Sequence, residues 1–406
     1  MDIIKYMNGS IIDGVDYDWK KYLKIYKNIV IETVPNEDTR KLFDWQIDFP
    51  ITRWLIELSE RSIGKTTKWL LFGTICHWYA GLRIEYLRIN SDMIRPSVCG
   101  EMWDTIIEYG YIEKITGGEY NTVIYRNKAY YLAFKNEKGE IEKEDEEELC
   151  HLHALSNVDL EKSTYNSPRG DIIIFDEFIP VNGVTSENLF IELCQMVSTI
   201  GRLRKNFKIV LLSNTVNPYT HIFHELDISH DIQHLKRGEH KIFTTPSNMK
   251  VSVNWLSLDT TYTTKKRDRL MEVFGFSNPR LSSIYGGDTW EVKNYQHLPK
   301  LEHNVTMDTH RVYIEYYNSV LQVKLCSSDL LGTYLLIHSV DYVDEKKARL
   351  IFTTNQAKDT RYIFALSHKY GKFIYDMWVK NKIYFAHNDD GQIFENFISF
   401  VKNSGK

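Results

Sequence analysis

Short apolar runs alternate with longer segments whose apolar positions recur every three or four residues along the first two thirds of the chain. Residues 52–58, 83–89, 171–178 and 207–212 read as strands, each brief, rich in Ile, Leu or Val, and bounded by polar or turn-forming residues. Hydrophobicity that is continuous rather than alternating marks strands covered on both faces, as in a parallel sheet. Between them, 69–79, 94–109 and 186–199 fit helices, and 121–134 fits a tyrosine-rich hairpin. Upstream, 16–30 puts Trp19, Tyr22 or Leu23, Tyr26 and Ile29 or Val30 at helical spacing with lysines opposite. That helix is expected to pack on the domain that follows. Strands alternating with helices predict an α/β domain on a parallel sheet.

From 259 to 303 the text turns polar, with Lys265-Lys266-Arg267-Asp268-Arg269 and then Gly286-Gly287, and this is the expected linker. Beyond it, short aromatic and β-branched runs at 311–325, 332–340 and 348–353 predict hairpins, followed by a helix at 357–368 and another near the end. This reads as a smaller α+β or RNase H-like module.

The chemistry concentrates where the first strand ends. Ser59-Glu60-Arg61-Ser62-Ile63-Gly64-Lys65-Thr66-Thr67 lies between a predicted strand and a predicted helix, the layout of a phosphate-binding loop. Backbone N–H groups at the helix start would cradle phosphate, Lys65 would reach the β- and γ-phosphates of ATP, and the Thr66 hydroxyl would bind Mg²⁺. Ser59 stands where the G-x-x-x-x-G-K-[ST] pattern has its first glycine. The strand 171–178 ends in Asp176-Glu177, adjacent carboxylates at the edge where ligands of open α/β sheets bind. Asp176 suits the Mg²⁺ shell, and Glu177 suits a base that orients and deprotonates water, so the pair points to hydrolysis. Asn214, at the tip of 207–212, either senses the γ-phosphate through that water or belongs to a turn before Pro218. Gln46 either reads adenine's edge or serves packing or capping, and packing or capping is preferred.

Composition narrows the class. The chain has 406 residues, 43% hydrophobic and 13% aromatic, ample for folded cores. No apolar run approaches the ~20 residues of a bilayer span, and the start lacks a signal peptide's design. A soluble, intracellular protein without a membrane partner is expected. Five cysteines (Cys76, Cys99, Cys150, Cys194, Cys326) lack C-x-x-C spacing and read as reduced thiols. Histidines 151, 153, 221, 224, 230 and 234 read as surface or interface groups, not metal ligands. A net charge of −4 argues against coating nucleic acid over the whole surface, not against a local basic lining. The acidic stretch 137–148 reads as a solvated loop.

Arg61-Ser62-Ile63-Gly64-Lys65-Thr66, Ile174-Phe175-Asp176-Glu177-Phe178 and Leu212-Ser213-Asn214 with Val216-Asn217-Pro218-Tyr219 together resemble the genome-packaging ATPases of phi-29-type tailed phages. The resemblance is strongest over 54–219. It implies a P-loop ATPase of the additional-strand, catalytic-glutamate class, followed by a C-terminal domain like a terminase nuclease that has lost cleavage. It further implies a homo-oligomeric ring, a pentamer by the same resemblance, docked on the phage portal of a procapsid in the host cytoplasm and driving double-stranded DNA inward. A structural RNA is a further partner that the family allows. By the same resemblance Arg202 matches the position of an arginine finger, with Arg204 the runner-up. Family members usually carry glycine at the positions of Ser59 and Ser62, which puts loop geometry in question. The expected domains are an extension (1–50), the ATPase (51–258), the linker (259–303) and the nuclease-like domain (304–406). Arg88, Arg95 and the 265–269 cluster are candidate DNA contacts. The alternatives are a nucleotide or small-molecule kinase, against which Glu177 counts, a terminase whose nuclease still works through Glu315, Asp341, Asp344 or Asp376, and a non-catalytic nucleotide-binding scaffold, against which intact Lys65, Asp176 and Glu177 count.

Overall fold

In the computed structural model the described residues are 17–34, 36–43, 52–59, 63–164, 171–179, 187–201, 207–214, 220–232, 234–245, 247–257, 265, 295–299, 306–307, 311–317, 319–353 and 368–404. They form two sheets in two units. The second unit takes Glu291–Lys406 with two short pieces, Val184–Glu187 and Asn217–His224, and the first takes the rest.

The first unit opens with helix α1 (Trp19–Thr33), capped by the Asp18 side chain accepting from Lys21 N. Its buried stripe is Trp19, Tyr22, Tyr26, Ile29 and Val30, the periodicity read from sequence. Strand β1 (Trp54–Leu58) leads into α2 (Lys65–Ala80), and the Tyr26 ring of α1 meets Phe72 of α2 edge-on at 6.1 Å. Each such large apolar side chain contributes about 1.5–3 kcal/mol on burial. Helix α2 is apolar nearly all round, with Trp69, Leu70, Leu71 and Phe72 fully buried. Its Gly73 lets it press on the Ile84 side chain, which a Cβ at that position would overlap.

The remaining strands are β2 (Ile84–Arg88), β3 (Thr122–Arg126), β4 (Ala129–Lys135), β5 (Ile141–Glu144), β6 (Cys150–Ala154), β7 (Ile172–Asp176), β8 (Lys208–Ser213), β9 (His240–Thr244) and β10 (Lys250–Trp255), with α3 (Glu187–Gly201) between β7 and β8. The sheet order is β3-β4-β6-β2-β7-β8-β1-β10-β9, with β5 paired to β4. From β6 to β10 every neighbouring pair is parallel. The runs β1, β7 and β8 are buried at every position, which is why they read as continuously apolar. Strand β8 lies between β1 and β7, so the ends of all three strands share one edge.

Some expectations change. The helix expected at 94–109 is broken into Pro96–Cys99 and Asp104–Glu108 after a 3₁₀ turn, Ser91–Ile94. Pro96 pushes Arg95 into extended backbone (ψ 152°), and Gly110 at φ +67° ends the run before another short helix, Tyr111–Thr116. The acidic stretch is no mere loop: β5 lies within it, and Glu144 and Glu148 pair with Arg126 and Arg83. The hairpin β9–β10 and strand β6 are not among the elements expected from sequence. The described cysteines form no disulfide, and Cys76, Cys99, Cys150 and Cys326 are buried.

In the second unit, β11 (Thr306–Met307), β12 (Arg311–Tyr316), β13 (Ser319–Ser328), β14 (Gly332–Val340), β15 (Ala348–Thr353) and β16 (Ile383–Phe385) make a sheet of order β15-β12-β13-β14-β16, with β11 on β13. Strands β12, β13 and β14 form an antiparallel meander, while β15 joins β12 and β16 joins β14 in parallel. Helices α4 (Lys369–Val379) and α5 (Asn388–Ser404) cover it, burying Ile374, Phe394 and Phe397 against Ile314, Leu335 and Phe352. The helix expected at 357–368 falls almost wholly outside the described residues.

Candidate active site

At the shared edge the backbone is knit first. Ser59 N donates to Ser213 O at 3.2 Å and Phe178 N to Leu212 O at 3.2 Å, tying the three strand ends together. Gly64 then turns the chain at φ +82°, a left-handed conformation that glycine adopts without strain. Helix α2 starts there with no side-chain hydrogen bond at its cap, and a helix start is where backbone N–H groups can receive an anion.

Side chains converge on that point. The Lys65 ammonium donates to Asn214 Oδ1 at 2.6 Å and to Ser59 Oγ, bridging the ends of β8 and β1. Thr66 Oγ1 donates to Asp176 Oδ2 at 2.8 Å, joining the loop to β7. Glu177 follows with φ +55°, an uncommon backbone for a non-glycine residue, and its N–H donates to Asp176 Oδ1 at 2.9 Å. The Asp176 side chain is 10% exposed, whereas the Glu177 side chain is 38% exposed and open to the edge.

Strand β2 supplies two partners that no motif announced. Tyr86 OH donates to Asp176 Oδ2 at 2.6 Å, and Arg88 Nη1 lies 3.7 Å from Asp176 Oδ2 and 3.3 Å from Glu177 Oε2. Burial, with the Asp176 charge beside it, pushes the Tyr86 phenol well above its ordinary range, so it remains a donor. Arg88, read from sequence as a DNA contact, is turned inward to these carboxylates, and its Nε is buried without a hydrogen-bond partner among the described residues. Arg95 pairs with Asp92 on the surface. The only sequence signal for Tyr86 and Arg88 was their place near the end of a predicted strand.

The donor set fits a hydrated Mg²⁺ ion. That cation takes oxygen ligands, needs one or two protein groups and keeps several waters, and the Thr66 hydroxyl beside the Asp176 carboxylate is such a pair. Among the described residues no group of three or more His, Cys, Asp or Glu gathers as a metal cage.

Two buried charge clusters brace the strands behind the site. Lys68, one turn after Lys65, is completely buried against Glu57 of β1, whose other oxygen accepts from Trp69 Nε1 at 2.9 Å. Burial pulls Lys68 down to about 8 although the Glu57 charge opposes it. His153 of β6 sits between Glu85 Oε2 of β2 at 2.7 Å and Glu161 Oε2 of the short helix Val158–Thr164 at 2.5 Å. Burial alone would lower the imidazole, but the two carboxylates reverse this and raise it to about 9. Burial likewise works against ionised Glu85, yet His153 and Arg83 hold it at about 2. His153 is therefore a buried histidine held between two carboxylates, not the surface or interface histidine expected from sequence.

Lys65, Thr66, Asp176, Glu177, Asn214 and Ser59 are thus brought together. Ile63 is buried and packs with Leu256, and Thr67 lies within the first turn of α2. Glu60, Arg61, Ser62, Arg202, Arg204 and Gln46 lie outside the described residues, as do the side chains of His221 and His230.

No protein-family model matches the sequence, and no curated protein is similar to it in sequence. Solved structures do match. The Phi-28 gp11 DNA packaging motor aligns over 87% of this chain and 95% of its own at 16% identity, with a TM-score of 0.51. The bacteriophage Phi-29 viral genome packaging motor assembly aligns over 85% and 96% at 15% identity, with a TM-score of 0.48. An ATPase domain of the large terminase of Thermus phage P74-26 aligns over 63% and 98% at 11% identity, with a TM-score of 0.33. At the level of the fold, the resemblance read from the motifs is borne out.

Proposed function

We propose that the chain, whose fold is that of a phage DNA-packaging motor, is an ATP hydrolase that drives double-stranded DNA into a procapsid. The observation that carries the reading is the convergence of Lys65, Thr66, Asp176 and Glu177 on one sheet edge. In it the α2 start and Lys65 bind the phosphates. Thr66 and Asp176 hold Mg²⁺, which when bound offsets charge on the phosphate oxygens. Glu177 orients a water and takes its proton, and Arg88, 3.3 Å away, fixes where that carboxylate points. Strand β8, lying between β1 and β7, supports the additional-strand class. Asn214 reads through Lys65 whether the γ-phosphate is present.

A motor for any sequence grips phosphates rather than bases. Phosphate release should therefore rise with duplex DNA, ignore its sequence and fall steeply with salt. Release indifferent to DNA in assembled particles would contradict the motor. Arg202 acts across the interface of the ring, so Arg202→Ala and Glu177→Gln subunits, each inactive, should recover hydrolysis when mixed. Mixed rings that stay inactive would remove that role.

The second unit is read as a nuclease-like domain without cleavage. Asp344, one of the four candidate carboxylates, is engaged in ion pairs by Arg311 and Lys347.

A further inference from the structure

We propose that Tyr86 is a positioning residue for the divalent cation: its hydroxyl orients the Asp176 carboxylate so that one lone pair of Asp176 remains for a metal-bound water. The inference rests on the nucleotide reading above. An ionised carboxylate offers about four lone-pair sites. Oδ2 accepts from Thr66 Oγ1 at 2.8 Å and from Tyr86 OH at 2.6 Å, and Oδ1 accepts from Glu177 N at 2.9 Å. Arg88 Nη1 at 3.7 Å adds charge but lies beyond hydrogen-bond reach.

These donors differ in kind. Glu177 N is backbone next door, and the Thr66 hydroxyl is the group that must also face the cation. Tyr86 belongs to neither the phosphate loop nor β7. It stands on β2 opposite Ile174, two residues before Asp176, is 3% exposed, and reaches along the strand to the carboxylate. The terminal torsion of an aspartate is soft, so the bonds it accepts decide where its free lone pair points. Without the phenol, Oδ2 is held by Thr66 alone, and cation binding would have to orient the carboxylate as well as occupy it.

The test uses the full chain with ADP and with Mn²⁺, whose free ion is counted by electron paramagnetic resonance. Tyr86→Phe keeps the ring and deletes the donor. Mn²⁺ affinity in the presence of ADP should fall about tenfold, the order lost when a group orienting a metal ligand is removed, while ADP affinity in EDTA stays within about twofold. In an Asp176→Asn background the same change should cost nothing further. Mn²⁺ affinity within twofold of wild type, or an equal loss in EDTA, overturns the proposal and leaves Tyr86 a packing residue. Should Tyr86→Phe fail to fold, 3-fluorotyrosine at position 86 gives a second reading. Its fluorine resonance should move with Mg²⁺ and ADP together but not with ADP in EDTA, and indifference to Mg²⁺ overturns the proposal. Wild type that binds no ADP at all would remove the nucleotide reading and Tyr86's role with it. Normal wild-type binding with an unaffected Phe variant removes Tyr86 alone.

Discussion

Two buried aspartates, one in each unit, show why burial by itself does not mark a site. Asp176 closes β7 and is 7% exposed, while Asp390 stands in the first turn of α5 and is 1% exposed. Both accept three hydrogen bonds. Asp390 takes them from Ser339 N at 2.9 Å, Ser339 Oγ and His387 N at 2.9 Å, so backbone groups on two sides fix it and tie β14 to the start of α5. Asp176 has one backbone donor, Glu177 N, and otherwise the hydroxyls of Thr66 and Tyr86, with Arg88 close by. Backbone donors are committed to the fold. Hydroxyls and a guanidinium with an unmet donor can turn toward a ligand, and that is what separates a staple from a candidate site.

The sharpest way to break this contrast is to neutralise each carboxylate. Asp176→Asn should lower ATP turnover by at least about a hundredfold, with little change in the unfolding midpoint. Asp390→Asn should leave ATP binding intact and cost about 1.5–3 kcal/mol, because one backbone donor loses its charged acceptor. Denaturant unfolding beside ATP titration separates the two, and exchanged outcomes would invert the assignment.

Lys68 sharpens the boundary between chemistry and bracing, since it lies one turn from Lys65 yet is wholly buried on Glu57. Lys68→Met should cost about 3–5 kcal/mol, the usual cost of leaving one buried charge alone. Adding Glu57→Leu should recover much of it. Full stability in the single variant would mean the pair does not hold α2 on β1.

A pH dependence tests the second buried cluster. His153 is held at about 9 in the fold against about 6.5 unfolded, so its stabilisation is complete below pH 6.5 and is lost as pH rises through 9. Lys68, drawn down to about 8, works the other way, adding stability between pH 8 and about 10.5. Glu85, held at about 2, contributes above pH 4.5 and loses its contribution as pH falls through 2. His153→Gln should therefore flatten the decline in wild-type stability between pH 7 and 9. An identical slope in the variant would show that the cluster does not carry it.

The sequence made one half of the site legible because that half is local. Gly64-Lys65-Thr66 must start a helix after a strand, and Asp176-Glu177 must end one, so spacing announces both. Tyr86 and Arg88 were hidden because only the pairing of β2 with β7, Tyr86 opposite Ile174, carries them to Asp176. His153 was misread for the same reason: its partners Glu85 and Glu161 come from elsewhere in the chain, and an isolated histidine carries no trace of them. The parallel strands were legible because they are apolar throughout, whereas β5 hides in an acidic stretch whose charges are met by Arg83 and Arg126. In the second unit the hairpins were read but β16 was not, being three residues long.

The central claim is that Glu177 hydrolyses a nucleotide that Lys65 and its loop bind. One paired measurement tests it: ATP affinity and single-turnover phosphate release for wild type and Glu177→Gln under the same Mg²⁺. The account predicts affinities within about threefold of each other and release at least about a hundredfold slower in the variant, because the amide keeps the shape but takes no proton. Release at the wild-type rate from Glu177→Gln would contradict it.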